Sequence, residues 1–135
     1  MVEKTLAIIK PDAVKKKVVG KIIQRIEDEE FKISGLKMLR LTKEDAQGFY
    51  AVHKDKHFYD SLTDFMSSGE ILVMVLERED AISHWRNVMG ATDPALADPG
   101  TLRQMYGFSV ERNATHGSDS PQTAEWEIDY FYKEE

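Results

Sequence analysis

The chain has 135 residues, of which 41% are hydrophobic and 31% are charged, and this composition predicts one globular domain spanning residues 1–135. The absence of cysteine excludes disulfides, thiolate catalysis and cysteine-ligated zinc or iron–sulfur sites. The net charge of −6 argues against non-specific binding to nucleic acid or to an anionic membrane, because both require a basic surface.

No segment predicts export or insertion into a membrane. The longest unbroken apolar run is at residues 71–76, far short of the roughly 20 residues that a membrane-spanning helix needs. The apolar residues 6–9 are followed directly by Lys10 and Pro11, so they are too few to form the core of a signal peptide. We therefore expect a soluble, cytoplasmic protein.

The chain begins with a predicted strand and a predicted helix. Residues 5–9 (TLAII) are typical of a short buried strand. Ile22 and Ile26 lie four residues apart within residues 20–31, and this spacing places both on one face of a helix that packs on the core. The acidic residues 27–30 are expected to form a solvated face.

A second strand and a second helix are predicted next. Residues 33–41 resemble a strand whose alternation changes phase between Met38 and Leu39, which predicts a β-bulge or a twist at that point. Thr42 and Asp45 have the spacing of a capping box, in which two side chains satisfy backbone N–H groups at the start of a helix. We therefore expect a helix to begin at Thr42.

The second half of the chain predicts a buried strand at residues 71–76 between two helices, followed by a long loop. The apolar stripes of these helices are Phe58, Leu62, Phe65 and Met66, and then Ile82, Trp85 and Met89. Residues 90–113 show little periodicity, and a loop this long inside a compact domain is usually functional. Ser120 and Pro121 predict the start of a last helix.

Strands separated by helices predict an α/β or α+β arrangement of sheet and helices, and the pattern alone favours a parallel sheet. The common glycine-rich phosphate loops are absent from the sequence. Gly20 and Lys21 have a lysine, Lys15, where a phosphate-binding loop needs its first glycine, and no two glycines stand two residues apart.

His116 is the strongest candidate for a catalytic side chain. Small or polar residues surround it at 113–120 (NATHGSDS), and they would leave space for a large molecule to reach the ring. A neutral imidazole nitrogen attacks phosphorus well, and the helix that begins nearby favours anions. The alternative is a structural or surface histidine, which is the usual role of an isolated histidine.

Glu127 is a candidate partner for that imidazole. Ala124, Ile128 and Phe131 form the apolar stripe of the last helix, and Glu127 falls at the edge of the stripe. A carboxylate facing the core needs a partner, and an imidazole N–H would serve while fixing the tautomer of the ring. The alternative is an exposed or arginine-paired glutamate.

Two further pairs of ring-bearing side chains could be functional or could have only a structural role. His53 and His57 have metal-ligand spacing on a helix, but lysines flank them, so we expect a solvated segment. Trp126 and Tyr130 lie on the side of the last helix opposite its apolar stripe. They predict either a contact between subunits or packing under a loop.

Three segments carry a resemblance to a known family. NATHGSDS at 113–120, TLAIIKPDAV at 5–14 and GATDP at 90–94 resemble the nucleoside diphosphate kinases, in the same order and over essentially the whole chain. The resemblance is to the short bacterial and archaeal chains of the family. It implies a ferredoxin-like α+β fold, with a four-stranded antiparallel sheet in βαββαβ order and helices packed on it.

The resemblance also implies an activity. A nucleoside diphosphate kinase moves the γ-phosphoryl group of a nucleoside triphosphate, typically ATP, onto Nδ1 of the histidine matched by His116, and from there to a nucleoside diphosphate. This ping-pong reaction maintains the pools of nucleoside and deoxynucleoside triphosphates. In the family, Glu127 matches the residue that orients the ring and Ser118 the hydroxyl bonded to it. The implied catalytic residues are His116, Glu127, Lys10, Tyr50 and Ser118.

The substrate site is implied in the same way. Phe58 and Val110 match the residues that sandwich the base, while Lys10 and Asn113 match those that hold the ribose hydroxyls and a nearby phosphate. Arginines and a threonine match the phosphate clamp. The full implied set is Lys10, Phe58, Leu62, Arg86, Thr92, Arg103, Val110 and Asn113.

The resemblance further implies Mg²⁺ as cofactor, held mainly by the nucleotide phosphates and water, so no protein residue is expected as a dedicated metal ligand. It implies a homo-oligomer built from dimers, as a tetramer or a hexamer, with no specific nucleic acid and no membrane as partner. Two departures stand out: Lys56-His57 replaces the usual Arg-Pro, and Gly69-Glu70 replaces the usual Gly-Pro. The first bears on the rigidity of the base-stacking helix.

Two other classes remain open at this point. A histidine phosphocarrier or phosphatase would also use His116, but it would not pass phosphate to nucleoside diphosphates. A non-catalytic ferredoxin-like module could bind nucleotides or nucleic acid. Nucleic acid is disfavoured, because the net charge is negative and no aromatic-rich RNA-binding stretch is present.

Overall fold

The computed structural model describes residues 2–132 of the chain; residue 1 and residues 133–135 of the predicted domain lie outside this part. Four strands form one sheet in the order β2-β3-β1-β4, and every neighbouring pair is antiparallel. The strands are β1 (Val2–Ile9), β2 (Lys32–Arg40), β3 (Glu70–Glu79) and β4 (Thr115–Gly117).

Helices connect the strands. They are α1 (Pro11–Lys15), α2 (Val19–Asp28), α3 (Lys43–Phe49), α4 (Tyr59–Met66), α5 (Ala81–Met89), α6 (Leu102–Tyr106) and α7 (Pro121–Tyr132). Short 3₁₀ helices lie at Ala51–His53 and Pro94–Leu96, so the predicted loop at 90–113 contains one of these and α6. In the described part of the chain, no helix is both long and apolar enough to cross a membrane.

The parallel sheet favoured by the pattern alone is wrong, and the antiparallel ferredoxin-like sheet implied by the resemblance is confirmed. The helices α1 and α2 do connect two strands that run in the same direction, β1 and β2. However, β3 is inserted between them and pairs antiparallel with both. An alternation of strands and helices along the sequence does not reveal whether a third strand separates the pair.

Each face of the sheet carries its own core, and both cores draw on the same strands. Ala7 and Ile9 of β1 face a core formed with α2 and α5, while Leu6 and Ile8 face a core formed with α3, α4 and α7. Successive side chains of a strand point to opposite faces, so a strand covered on both sides is apolar throughout. This double burial explains the unbroken apolar run that predicted β3.

The β-bulge of β2 lies at Ser34 and not at the predicted position between Met38 and Leu39. The register with β3 shifts between Ile33 and Gly35. As a result, Ile33 packs against the core of α2 and α5, whereas Leu39 packs against the core on the other face. The sequence misled because Leu36 and Met38 are exposed, at 54% and 46%, and an exposed apolar residue mimics a core position.

The helix α2 ends at Asp28, three residues before the predicted limit. Ile22 and Ile26 are fully buried, and Phe31 packs on the same core from beyond the helix end. Glu29 departs from the solvated face predicted for residues 27–30. Its carboxylate accepts hydrogen bonds from Arg25 at 2.8 Å and lies 2.8 Å from His84 Nε2.

The predicted helix caps are present. Thr42 Oγ1 accepts a hydrogen bond from the N–H of Asp45 at 3.0 Å, and the Asp45 carboxylate accepts one from the N–H of Thr42 at 3.3 Å. At the start of α7, Ser120 Oγ accepts from the N–H of Thr123 at 3.1 Å. These bonds satisfy N–H groups that the first turn of a helix leaves free.

Thr42→Ala should lower the free energy of unfolding by about 1 kcal/mol, because it removes the hydroxyl half of the capping box. Urea denaturation measures the loss. The control is Ser83→Ala, which removes an exposed hydroxyl bonded only to the Asp80 carbonyl at 3.3 Å and should change stability little. Equal losses in the two variants would show that the cap does not stabilise α3.

Candidate active site

His116 lies in the middle of β4, where it pairs with Ile8 of β1. The indole N–H of Trp85 on α5 donates a hydrogen bond to the His116 carbonyl at 3.1 Å. The backbone of His116 is therefore held from two sides, by the sheet and by α5. The side chain keeps only 17% of its surface exposed, so the ring has a fixed environment with one accessible side.

The small residues around His116 have a different cause from the one that the sequence suggested. Thr115 and Ser118 are fully buried. A Cβ added at Gly117 would stand 2.5 Å from Trp85 Cδ1 and 2.7 Å from Met89 Cε, closer than atoms can pack. The helix α5 therefore requires a glycine after the histidine, so packing contributes to the choice of small side chains at these positions.

Glu127 lies on α7 with its carboxylate directed at the histidine. Its Oε1 is 3.0 Å from His116 Nε2 and accepts a hydrogen bond from Ser118 Oγ at 2.7 Å. Ser118 Oγ in turn accepts from the N–H of Leu6 at 3.1 Å. This chain of hydrogen bonds fixes the imidazole through Nε2, and Nδ1 makes no hydrogen bond within residues 2–132.

Two aromatic rings enclose the imidazole. Phe49 meets it nearly edge-on with ring centroids 5.4 Å apart, and Tyr50 does so at 6.3 Å. Burial raises the pKa of Tyr50 and the charge of Glu127 raises it further, so the phenol stays protonated. Its hydroxyl is buried and has no partner among the described residues, which leaves a hydrogen-bond donor free beside His116.

Lys10 and Asn113 are brought together where β1 ends beside the start of β4. Lys10 Nζ donates to Asn113 Oδ1 at 2.8 Å, and the Asn113 amide donates to the Thr92 and Val110 carbonyls at 3.0 and 2.9 Å. Burial, and then the positive charge of Arg103, lower the pKa of Lys10 to about 8. The ammonium group thus stands where water is scarce and another cation is near.

Arg103 forms a second, partly buried cation of the site. Its guanidinium donates to the Gly90 and Thr115 carbonyls, both at 3.0 Å, while its Nε is buried without a partner in residues 2–132. Burial and the charge of Arg86 lower the pKa of Arg103 to about 10. Arg103 thus lowers the pKa of one neighbouring cation and has its own pKa lowered by another, a crowding of positive charge that suits a site for an anion.

Two adjoining cavities lie at the site, although Lys10 and Asn113 line neither of them. One, of about 530 Å³, is lined by Arg86, Thr92 and Arg103 among others. The second, of about 460 Å³, includes His116 and Tyr50. Gly117 and Asp119 line both cavities, so a molecule lying against the arginines would reach the histidine.

Phe58 and Val110 lie further from the histidine and are partly exposed, at 38% and 57%. Phe58 precedes α4, and its carbonyl accepts the N–H of the buried Leu62. The ring of His57, which stands where the family usually has proline, lies edge-on to Phe58 at 5.6 Å. His53 contacts Phe58 from another direction at 5.5 Å, so two imidazoles support this ring.

The other aromatic pair packs on the protein itself. Trp126 and Tyr130 stack on one another at 5.4 Å, and both contact Phe49. The Tyr130 hydroxyl donates to the Asp45 carbonyl at 2.8 Å, which ties α7 to α3. Trp126 remains 50% exposed and lines the cavity of His116.

Sequence reasoning assigned no functional role to two residues at this site. Asp119 borders both cavities, although its place in the NATHGSDS segment already drew attention to it. Asp12 accepts a hydrogen bond from the N–H of Ala114, two residues before His116, at 3.0 Å. The available signal for Asp12 was its place directly after Lys10 and Pro11. Its contact with Ala114 could not be predicted, because residues 102 positions apart leave no local pattern in the sequence.

Comparisons with known proteins agree with this geometry. The sequence model of the nucleoside diphosphate kinases matches residues 3–135. The nucleoside diphosphate kinase of Geobacter sulfurreducens is 52% identical over 132 residues, covering 98% of this chain and 96% of that one. That of Persephonella marina is 56% identical over 131 residues, covering 97% and 94%.

Solved structures show the same relationship. The nucleoside diphosphate kinase of Aquifex aeolicus superposes with a TM-score of 0.96 at 44% identity, covering 98% of this chain and 96% of that one. The halophilic enzyme of Halobacterium salinarum, solved in complex with CDP, gives 0.94 at 40% identity, covering 98% and 88%. The chain belongs to the nucleoside diphosphate kinase family, whose members are enzymes that transfer a phosphoryl group between nucleotides.

Proposed function

We propose that His116 carries the phosphoryl group in a ping-pong cycle. Nδ1 attacks the γ-phosphorus of a nucleoside triphosphate, typically ATP, so that a P–N bond forms, a P–O bond breaks and the diphosphate leaves. A second nucleoside diphosphate then takes the group from the ring by the reverse step. The supporting observation is the chain of hydrogen bonds from Ser118 through Glu127 to Nε2, which keeps the proton on Nε2 and the lone pair on Nδ1.

Glu127 has a second role in this proposal. The imidazole gains positive charge as Nδ1 bonds to phosphorus, and a carboxylate at 3.0 Å from Nε2 stabilises that charge without moving. Ser118 holds the carboxylate in place. Tyr50 supplies a neutral hydroxyl beside the ring, and the free donor can bond an oxygen of the transferring group.

Three cations would form the phosphate site. A bound triphosphate carries a charge of about −4; Arg86 and Arg103 would place positive charge against it in the cavity that Thr92 also lines, and Lys10 would add a third cation. The burial of Lys10 and the partial burial of Arg103 make their interactions stronger than they would be in water. Asn113, whose amide N–H groups are already bonded to two carbonyls, would act with Lys10 on the ribose and a nearby phosphate through its Oδ1, which accepts from Lys10 Nζ.

Kinases of this family need a divalent cation, and we propose Mg²⁺. No group of three or more His, Cys, Asp or Glu side chains within residues 2–132 is placed to hold a metal ion. This arrangement suits Mg²⁺, which keeps several waters and binds mainly through substrate phosphates. Asp119 is the carboxylate beside both cavities and would hold the cation through its water. When bound, Mg²⁺ neutralises charge on the phosphate oxygens.

The base would lie between Phe58 and Val110, with Leu62 beneath. Stacking on a ring reads no base edge, so it predicts an enzyme that accepts purines and pyrimidines. The proposed role in the cell follows from that tolerance: the protein maintains nucleoside and deoxynucleoside triphosphate pools, and we place it in the cytoplasm. A homo-oligomer built from dimers, tetrameric or hexameric, is also proposed, supported by exposed Leu36 and Met38 on the edge strand β2.

Incubation with γ-labelled triphosphate and no acceptor should label the protein on nitrogen, in a bond that acid cleaves and alkali leaves intact. His116→Ala should remove both label and turnover, because nothing replaces a missing nucleophile. His84→Ala is the control, since His84 is also paired with a glutamate and should leave labelling unchanged. Acid-stable label, or label that survives in His116→Ala, would show that another residue is the carrier.

Glu127→Gln should still be labelled, but about tenfold to a thousandfold more slowly, equivalent to roughly 1.4–4 kcal/mol. The amide oxygen of glutamine still accepts a hydrogen bond from Nε2–H, but it lacks the negative charge that stabilises the positive charge on the ring. Single-turnover labelling measures the rate. Transfer of the label to added nucleoside diphosphate distinguishes a kinase from a phosphocarrier or a phosphatase. If the labelled phosphoryl group is lost only to water, a nucleoside diphosphate is not the acceptor.

Phe58→Ala should raise KM for both purine and pyrimidine diphosphates more than it lowers kcat, because a lost base contact amounts to about 1–3 kcal/mol. Steady-state kinetics with a set of diphosphates measures the two parameters. Phe108→Ala removes an equally large ring that is 80% exposed and serves as control. A strong effect on one base alone would contradict stacking as the means of recognition.

A further inference from the structure

Ala114 has an unusual backbone conformation directly before the histidine strand. Its φ is +72°, in the left-handed region that residues with a side chain rarely adopt. It is fully buried and lies between Asn113 and Thr115, the first residue of β4. Such a conformation persists only where surrounding contacts enforce it.

The contacts that enforce it come from the start of α1. The N–H of Ala114 donates to Asp12 Oδ2 at 3.0 Å. The Ala114 carbonyl accepts from the N–H of Lys10 at 2.8 Å. Both polar backbone groups of Ala114 are thus bound by a segment of three residues, and Asp12 supplies the one bond that a side-chain substitution can remove.

Functional side chains extend from both sides of Ala114. Before it, Asn113 Oδ1 accepts from Lys10 Nζ at 2.8 Å. After it, β4 places His116 opposite Ile8 of β1. A change of φ at Ala114 would turn these two segments relative to each other, and it would change the position of the Asn113 amide relative to the ring of His116.

We propose that Asp12 is a positioning residue for phosphoryl transfer: by bonding the N–H of Ala114 it holds the left-handed turn that sets Asn113 and His116 in their relative places. The inference rests on the proposed role of His116. Asp12 itself is not expected to touch the nucleotide.

Asp12 also acts on Lys10 through its charge. The pKa of Lys10 is lowered by burial and by Arg103, and is raised by the negative charges of Asp12 and Glu111. Removing either carboxylate therefore lowers the pKa of Lys10 further. If protonated Lys10 binds phosphate, the fall of kcat/KM at high pH should begin at lower pH in Asp12→Asn and in Glu111→Gln.

A set of variants distinguishes the two effects of Asp12, on the turn at Ala114 and on the charge of Lys10. They are assayed at about pH 6.5, where Lys10 stays protonated. Asp12→Asn keeps an oxygen that can accept the N–H of Ala114, and it should label within about threefold of the wild type. Asp12→Ala should label about tenfold more slowly or worse. Glu111→Gln is the control, because it removes a charge near Lys10 without contacting Ala114.

Ala114→Gly provides the decisive comparison, because glycine adopts a positive φ without steric cost. In that background, adding Asp12→Ala should slow labelling by less than about threefold. This pair is informative even if Asp12→Ala alone fails to fold. Equal losses with alanine and with glycine at 114, or a folded Asp12→Ala with the wild-type rate, would overturn the inference. Absence of label from His116 in the wild type would overturn the proposed function instead.

Discussion

The carboxylate of Glu127 is buried between α7 and β4, and a buried charge is stable only where hydrogen bonds replace the water it has lost. Ser118 and His116 supply those bonds. Ser118 is held in turn by the backbone of Leu6 in β1, so the carboxylate is tied to the centre of the sheet. The orientation of the imidazole therefore follows from the same contacts that attach the last helix to the core.

The phosphate site has the opposite balance of charge. Burial and the charge of Arg103 lower the pKa of Lys10, and burial and the charge of Arg86 lower the pKa of Arg103. A bound anion would offset the loss of water and the repulsion between like charges at both cations. A nucleotide would therefore bind more favourably here than elsewhere on the molecule. The net charge of −6 is therefore compatible with the proposed binding of polyphosphates, because local positive charge does not depend on the overall balance.

Helical periodicity was sufficient to place Glu127 at the edge of a buried stripe, and an unpaired carboxylate there pointed to an imidazole. The strand pattern identified β1 and β3, since both faces of the sheet are covered. The strand direction did not follow, because the insertion of β3 between β1 and β2 leaves no local trace. The bulge at Ser34 and the clash that fixes Gly117 against Trp85 were also invisible, since both arise from distant segments.

The central claim is that Glu127 holds the proton of His116 on Nε2 and leaves Nδ1 free to attack phosphorus. Nitrogen-15 NMR of the labelled imidazole, recorded at a pH where the ring is neutral, tests this directly. We expect Nε2 to give the signal of a protonated nitrogen and Nδ1 that of a bare one, with phosphorus bonded to Nδ1 after reaction with a triphosphate. A proton on Nδ1 in the free enzyme, or phosphorus on Nε2 afterwards, would contradict the account.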